Sequence, residues 1–154
     1  MRDRFVSCIV VTVFLLLLGI FSAECGVQYL SDEPYVYAVL PGTPEWEVMT
    51  PTQRQESCEV TIEEVANMST EALVETVINY PYLVDIFAFN TINEGIEWVS
   101  MYFPGLPELL SREDAVEELQ EYQTKMQERV SKEQDIWKIE DAHYLELYIK
   151  GYYE

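Results

Sequence analysis

The sequence predicts an all-α fold, a compact single domain of about six short-to-medium helices. Apolar residues recur at helical spacing in several segments after residue 50, and most of these segments begin with a Ser or Thr that can cap a helix. The chain has 154 residues, of which 49% are hydrophobic, and this is enough for one core. We expect an N-terminal signal helix over residues 1–25, an extended Pro-rich lead-in over 26–50, and the helical domain over 51–154.

The N-terminus has the layout of a secretory signal peptide. A basic start at Arg2 and Arg4 precedes an apolar run over residues 5–21 and then small residues. Cleavage after Cys25 leaves small side chains just before the cut. The alternatives are an uncleaved membrane anchor over residues 5–23 and lipidation of Cys25. We therefore expect a secreted or extracytoplasmic protein, in contact with a membrane only if the anchor is uncleaved or Cys25 is lipidated.

The lead-in over residues 26–50 is expected to be extended and rich in turns. Prolines and Gly42 prevent a long helix there. Residues 35–40 are aromatic and aliphatic, and Tyr35, Val36, Tyr37, Val39 and Leu40 could make a short strand or a segment laid across a helical body. The prolines are Pro34, Pro41, Pro44 and, at the start of the first helix, Pro51.

Two capping boxes open the helical domain. Thr50 with Gln53 predicts a helix over about 51–58, and Thr61 with Glu64 predicts a short helix that ends near residue 67. In each pair the first side chain can accept from the backbone of the second, and the second can accept from the backbone of the first.

A strongly apolar stretch over residues 67–90 is interrupted in its middle. Ser69 or Thr70 can cap a helix over about 70–79, and Pro81 stops that helix because proline cannot donate to its i−4 carbonyl. A second segment is expected over about 81–89. The apolar stripe of the first helix is Leu73, Val74, Val77 and Ile78.

Three further helices are expected before the last one. Thr91 with Glu94 opens the first, and a turn at residues 103–105 ends it. A short helical piece follows over 106–110. Ser111 with Asp114 then starts the third, over about 112–130.

The last helix is predicted over about 136–150, after a polar link at residues 131–135. Its apolar residues point in nearly every direction around the axis. A helix of this composition is typical of a largely buried element.

Charge disfavours two classes of partner. The chain has 28 Asp and Glu against 9 Lys and Arg, so its net charge is −19. Such a surface repels phosphate backbones and anionic lipid headgroups. We expect no nucleic-acid partner, and an unidentified protein or a cell-envelope component as the partner.

No catalytic, cofactor-binding or metal-binding residue is assigned from the sequence. His143 is the only histidine, so a zinc site of the usual kind is not expected. His143 with Asp141 or Glu140 could form a dyad, but packing is the favoured interpretation. Acids at two helix starts could bind calcium weakly, although they are better explained by the helix dipole. These acids are Glu63, Glu64, Glu113, Asp114, Glu117 and Glu118.

Cysteines and aromatic residues leave alternatives open. Cys58 could bridge to Cys25 if the latter is retained, although a single buried Cys58 is favoured. The 11 Tyr and 3 Trp side chains either close the core or stack on sugars, peptides or wall polymers.

Three segments resemble a set of uncharacterised secreted proteins of Gram-positive, largely gut-associated bacteria. They are PYVYAVLPGTPEW (34–46), MSTEALVETVINYP (68–81) and LPELLSREDA (106–115), and the MSTEALVETV-NYP block is the most specific. The resemblance covers most of the chain after the leader, and the departures lie mainly in the C-terminal third. It implies export and a shared helical domain, with no activity or ligand.

The leading functional hypothesis is an exported acidic helical domain that acts by binding or as a structural component. The alternative is a small secreted hydrolase that acts on wall or carbohydrate material through paired carboxylates. An exposed aromatic patch would favour binding, and a groove with two close, partly buried carboxylates would favour hydrolysis.

Overall fold

The computed structural model describes residues 30–129 and 133–151, and these ranges are helical. Their only sheet-like feature is a single bridge between Ser31 and Met68. The all-α prediction is confirmed. The helices, in chain order, are α1 Pro44–Val48, α2 Pro51–Glu56, α3 Ile62–Ala66, α4 Thr70–Ile78, the 3-10 helix η1 Leu83–Ala88, α5 Ile92–Ser100, α6 Gly105–Ser111, α7 Ala115–Arg129 and α8 Glu133–Ile149.

The signal segment and Cys25 lie outside the described residues. The three alternatives for this region, which are cleavage, an uncleaved anchor and lipidation of Cys25, therefore stay predictions. Cys58 is buried and its thiol is free. Within the described ranges, no helix is both long and apolar enough to cross a bilayer.

The lead-in crosses the helical body and also contains a helix that the sequence analysis did not include. The backbone N–H of Tyr35 donates to Thr76 Oγ1 at 2.9 Å, and the Tyr37 hydroxyl donates to the Thr76 carbonyl at 3.1 Å. Proline excludes a long helix here, but it suits the first position of a short one. Helix α1 accordingly begins at Pro44 and buries Trp46.

Both capping boxes form as predicted. The Gln53 N–H donates to Thr50 Oγ1 at 3.3 Å, and the Thr50 N–H donates to Gln53 Oε1 at 2.9 Å. The equivalent bonds at Thr61 and Glu64 are 3.2 and 2.8 Å long. Helix α2 ends at Glu56, two residues before the predicted end.

The break at Pro81 is confirmed, but the segment after it is a 3-10 helix. Helix α4 ends at Ile78, and η1 begins at Leu83. Leu83 and Ile86 are buried, whereas Val84 is 63% exposed. Because side chains at i and i+3 eclipse in a 3-10 helix, η1 has one narrow buried face and one exposed face.

The start of α7 was predicted wrongly. Ser111 is the last residue of α6, and α7 begins at Ala115. Asp114 is engaged elsewhere, because its Oδ1 accepts a hydrogen bond from the Thr70 hydroxyl at 2.8 Å. The Ser-x-x-Asp pattern therefore has no capping role here.

The last helix begins at Glu133, and the prediction that it is largely buried was wrong. Ile136 is 46% exposed and Trp137 60% exposed. Ala142 and Leu145 are fully buried. Helix α8 packs mainly against α7. Tyr148 and Ile149 are partly buried against the core, whereas Ile136 and Trp137 face outward.

Helix α4 is the centre of the core. It packs against α6, α7 and α8, and seven of its nine residues are buried. Helix α5 packs mainly on η1 and less extensively on α6. The η1–α5 pair thus forms an outer layer, and the candidate site lies in that layer.

Candidate binding cleft

A cleft of about 290 Å³ opens where η1 and α5 meet the start of α2. This volume lies just below the range typical of small-molecule sites, which is about 300–1,000 Å³. Four of its eight lining residues are aromatic. The lining residues are Pro51, Gln55, Tyr80, Tyr82, Asp85, Trp98, Val99 and Tyr102.

The break at Pro81 positions two of the aromatic rings. Tyr80 and Tyr82 flank the proline between α4 and η1, and their ring centroids lie 6.0 Å apart. Tyr80 also stacks on Phe103, with centroids 4.0 Å apart and rings nearly parallel. This stacking holds the Tyr80 ring in place from the core side.

Helix α5 and its end supply the other two rings. Ile96 and Val99 face the core, so the side chains of Trp98 and Tyr102 point outward on the opposite face of the same turn. Trp98 is 42% exposed and Tyr102 52% exposed, and their centroids are 5.2 Å apart. Phe89 extends this surface at 5.7 Å from Trp98.

The hydroxyl of Tyr80 is an unused polar group in the cleft. Tyr80 is only 7% exposed, and its hydroxyl has no hydrogen-bond partner within the ranges that the structure covers. No buried side-chain oxygen in those ranges lacks a partner, so this hydroxyl reaches the surface. Burial, followed by the proximity of Cys58, Tyr82 and Asp85, raises the pKa of the Tyr80 phenol well above its usual value. It stays protonated and can donate.

Asp85 is the one acid among the described residues that line the cleft. Partial burial raises the pKa of its carboxyl. No hydrogen bond or ion pair reaches this carboxylate from residues 30–129 or 133–151. It is close enough to Tyr80 and Tyr82 to raise the pKa of both phenols.

Arg54 lies behind the cleft. Burial raises the pKa of Tyr82, and the charge of Arg54 lowers it by a smaller amount. Arg54 Nε donates to the Trp46 carbonyl at 3.0 Å, and the guanidinium lies over the Trp46 ring, 5.4 Å from its centroid. Trp46 in turn packs 5.6 Å from Tyr82. Arg54 thus supports the wall of the cleft from behind.

A second apolar groove adjoins the cleft and shares Tyr102 with it. Ile62 is 75% exposed and Met101 66% exposed along this groove. The two depressions therefore meet at Tyr102.

The dyad considered for His143 does not form with the predicted partners. The predicted partners were Asp141 and Glu140. The Nδ1 atom of His143 lies instead 3.4 Å from Oε2 of Glu146. Glu146 is buried and accepts from Gln120 Nε2 at 2.8 Å, from Gln123 Nε2 at 3.0 Å, and from Lys150.

The pKa of two acids on α8 is shifted in opposite directions. Burial would raise the pKa of Glu146, but the hydrogen bonds from Lys150, Gln123 and Gln120 outweigh it and lower this pKa to about 2. Burial, followed by repulsion from Glu140, raises the pKa of Asp141 to about 6. The Glu146 cluster joins α7 to α8, so its role is structural.

Two of the acids that were considered as calcium ligands make hydrogen bonds within the protein. Glu64 completes its capping box, and Asp114 accepts from Thr70. In the parts of the chain that the structure covers, no three His, Cys, Asp or Glu side chains are grouped closely enough to hold a metal ion.

The sequence analysis did not single out the residues of the cleft. One pattern in the sequence could have indicated the cleft. Trp98 and Tyr102 are four residues apart and therefore share a helix face, and Ile96 and Val99 already supply the apolar residues of the face towards the core. The C-terminal tyrosines did not lead to the site: Tyr144 packs edge-on against Phe87, and Tyr152 and Tyr153 lie outside the described residues.

Comparison of the chain with protein-family models, with curated proteins and with solved structures finds no match.

Proposed function

We propose that this protein is an exported, non-enzymatic binding domain whose ligand occupies the cleft between η1 and α5. The observation that carries the proposal is the combination in one cleft of four aromatic rings with a carboxylate and a phenol that have no partner among the described residues. Ligand sites of this kind are mostly apolar, with a few polar groups that orient the ligand.

Solvent exposure of Trp98 and Tyr102 supports a binding role. Full burial of a large apolar side chain contributes about 1.5–3 kcal/mol, and Trp98 and Tyr102, each about half exposed, forgo part of that contribution. Contiguous exposed apolar patches typically mark interaction sites. The ring arrangement is also rigid, because Phe103 and Trp46 hold Tyr80 and Tyr82 from the core side.

Hydrolysis through paired carboxylates is less well supported. Such enzymes need two carboxyl groups across the scissile bond, about 5–10 Å apart. Asp85 is the one acid of the cleft among the described residues. A cleft with one carboxylate and no histidine suits recognition better than acid–base catalysis.

Export is proposed from the N-terminal sequence and from the resemblance to secreted proteins. We expect the full precursor to be released after cleavage near Cys25, and the partner to be a cell-envelope component or an extracellular protein. N-terminal sequencing of the product tests this. Recovery of a membrane-bound product that begins at Met1 would support the anchor instead.

Binding at the cleft can be tested by ligand-observed NMR on the protein expressed as its full precursor. The panel is methyl β-D-glucoside, N-acetylglucosamine, choline, and the N-acetyl methylamides of lysine, arginine and phenylalanine. The variants are Trp98→Ala and, as a matched control, Trp137→Ala, because Trp137 is 60% exposed on α8 and does not line the cleft.

We expect at least one panel member to bind the wild-type protein and the Trp137→Ala protein, and to lose binding in Trp98→Ala. Binding that is equal in all three proteins, or absent from all three, would overturn the proposal. Circular dichroism and thermal unfolding establish that both variants keep the fold.

A further inference from the structure

We infer that the cleft recognises a small organic cation, an alkylammonium or guanidinium group, held by the faces of Trp98 and Tyr102 and by the carboxylate of Asp85. This inference rests on the proposed function and names its ligand class. It is argued from ring chemistry, from charge and from size.

Ring chemistry is the first argument. The face of an aromatic ring carries partial negative charge, so a cation placed within about 6 Å of the ring centroid is attracted, most strongly by Trp and then by Tyr. Trp98 and Tyr102 lie 5.2 Å apart and are tilted by 58°. Both rings line the cleft, and tilted aromatic rings around one small cavity are the arrangement that binds quaternary ammonium ligands in aromatic cages.

Charge is the second argument. The Asp85 carboxylate lines the same cleft as these rings and has no cation partner within residues 30–129 and 133–151. Arg54 donates to the Trp46 carbonyl and lies over the Trp46 ring. No Lys or Arg is among the described residues that line the cleft. The chain as a whole carries a net charge of −19, which raises the local concentration of cations and repels anionic ligands.

Size is the third argument. A volume of about 290 Å³ is small for a polymer segment but sufficient for a side chain or a head group. A neutral sugar could also stack on Trp98, but it gains nothing from an unpaired negative charge. The phenol of Tyr80 can serve either ligand as a donor, so the carboxylate is what distinguishes the two.

The decisive comparison uses choline and its uncharged isostere 3,3-dimethylbutan-1-ol. The two molecules have nearly the same shape and differ in one positive charge. Quenching of tryptophan fluorescence and isothermal titration calorimetry measure binding by the protein expressed as its full precursor. We expect choline to bind at least about fivefold more tightly than the isostere.

Variants assign the binding to the cleft. Asp85→Asn keeps the shape and removes the charge, and it should weaken choline binding about tenfold while leaving that of the isostere unchanged. Asp32→Asn is the matched control, because Asp32 is exposed and does not line the cleft. Trp98→Phe should retain part of the affinity, and Trp98→Ala should lose it. Thermal unfolding of each variant confirms that it is folded.

Two further ligands separate the sources of the cation. Nα-acetyl-lysine methylamide and Nα-acetyl-arginine methylamide represent a protein side chain, and choline represents a free or polymer-linked head group. Tighter binding of either class identifies the source and supports the inference.

Other outcomes overturn the inference. Equal binding of choline and its isostere, preference for methyl β-D-glucoside, or insensitivity to Asp85→Asn would show that the cleft does not select a cation. If the binding of any of these ligands is still lost in Trp98→Ala, the proposal of a binding cleft is retained and only the inferred ligand class is overturned. If none depends on Trp98, the proposed function falls as well.

Discussion

Gly95 lies where the two elements that carry the cleft come closest together. A Cβ atom placed on it would lie 2.0 Å from the carbonyl oxygen of Ile86 and 2.6 Å from the carbonyl carbon. Both contacts are with backbone, which cannot rotate away as a side chain can. Glycine is therefore required by the crossing of η1 and α5, and its low helix propensity is tolerated there.

Replacing Gly95 by Ala should destabilise the protein and disturb the cleft. Forced expansion in a packed region typically costs about 1–3 kcal/mol, which exceeds the gain of about 1 kcal/mol in helix propensity. Urea unfolding measures the net change. Glu97→Ala, an exposed substitution on the same helix, should stay within about 0.5 kcal/mol of wild type. A Gly95→Ala protein that is more stable than wild type would show that the backbones of η1 and α5 do not approach each other as closely at Gly95 as in this structure.

Glu146 makes the stability of the protein depend on pH. The folded protein holds the pKa of this carboxyl at about 2, below its ordinary value of 4.5. A lowered pKa means that the unfolded chain takes up the proton first as the pH falls. The contribution of Glu146 is thus present above its ordinary pKa and is lost as the pH falls from there towards 2.

A Glu146→Gln variant tests this contribution. At neutral pH it should be less stable than wild type, because Lys150 loses its charged partner, and the difference should shrink steadily below about pH 4.5. Urea unfolding at a series of pH values measures both proteins. A difference that stays constant over that range would show that the charge of Glu146 does not stabilise the contact between α7 and α8.

At the scale of elements, the chain break after α4 determines where the site forms. Helix α4 ends beside Pro81, and the chain then turns into η1 instead of continuing along the core. That turn brings Tyr80 and Tyr82 to one side and carries Asp85 to the surface. A continuous α-helix would place Tyr80 and Tyr82 on nearly opposite faces, since residues two positions apart are about 200° apart around the helix axis.

Substitutions in and near α4 should show how much the chain break at Pro81 and the buried core at Leu73 each contribute to stability. Pro81→Ala should change stability only modestly, because Pro81 lies outside both helices and no helix interior gains a hydrogen bond. Leu73→Ala should cost about 2–5 kcal/mol, because Leu73 is fully buried at the centre of the core. Thermal and urea unfolding measure both. A stabilisation of about 3 kcal/mol by Pro81→Ala would indicate one strained helix in place of two elements.

For the molecule as a whole, the helices that pack against α4 do not contribute equally to stability. Helix α8 covers α7 and reaches α4, and it buries Ala142, Leu145 and Glu146. Its outward side leaves Ile136 and Trp137 exposed. The apolar residues on that side add little to stability, so the contribution of the helix comes from a narrow strip and from the Glu146 hydrogen bonds.

Deleting residues 136–154 should unfold the protein or leave it aggregating. The deletion removes buried Leu145 and uncovers Leu119 on α7, and each fully buried leucine contributes about 1.5–3 kcal/mol. Together with the lost Glu146 cluster, this approaches the net stability of a typical domain, about 5–15 kcal/mol. Calorimetry and size-exclusion chromatography provide the test. A monomeric truncated protein that melts cooperatively at nearly the wild-type temperature would make α8 an accessory.

Local features of the chain were predictable because their physical causes are local. The capping boxes at Thr50 and Thr61 and the break at Pro81 depend on hydrogen bonds between residues within four positions of each other. The Ser111 start failed for the complementary reason. Its partner Asp114 bonds with Thr70, a residue 44 positions away, and no local pattern reveals such a competitor.

The chain alone dictated an all-α fold, an acidic surface and the points where most helices begin, since composition, charge and capping act over short distances. Tertiary packing decided which apolar residues are buried. Trp98 and Leu145 are both apolar residues on helices, yet Leu145 is fully buried and Trp98 is 42% exposed. The cleft exists because η1 and α5 cross closely at Gly95 and leave Asp85 and the rings beside Pro81 facing outward. That arrangement depends on contacts between distant residues, which periodicity cannot encode.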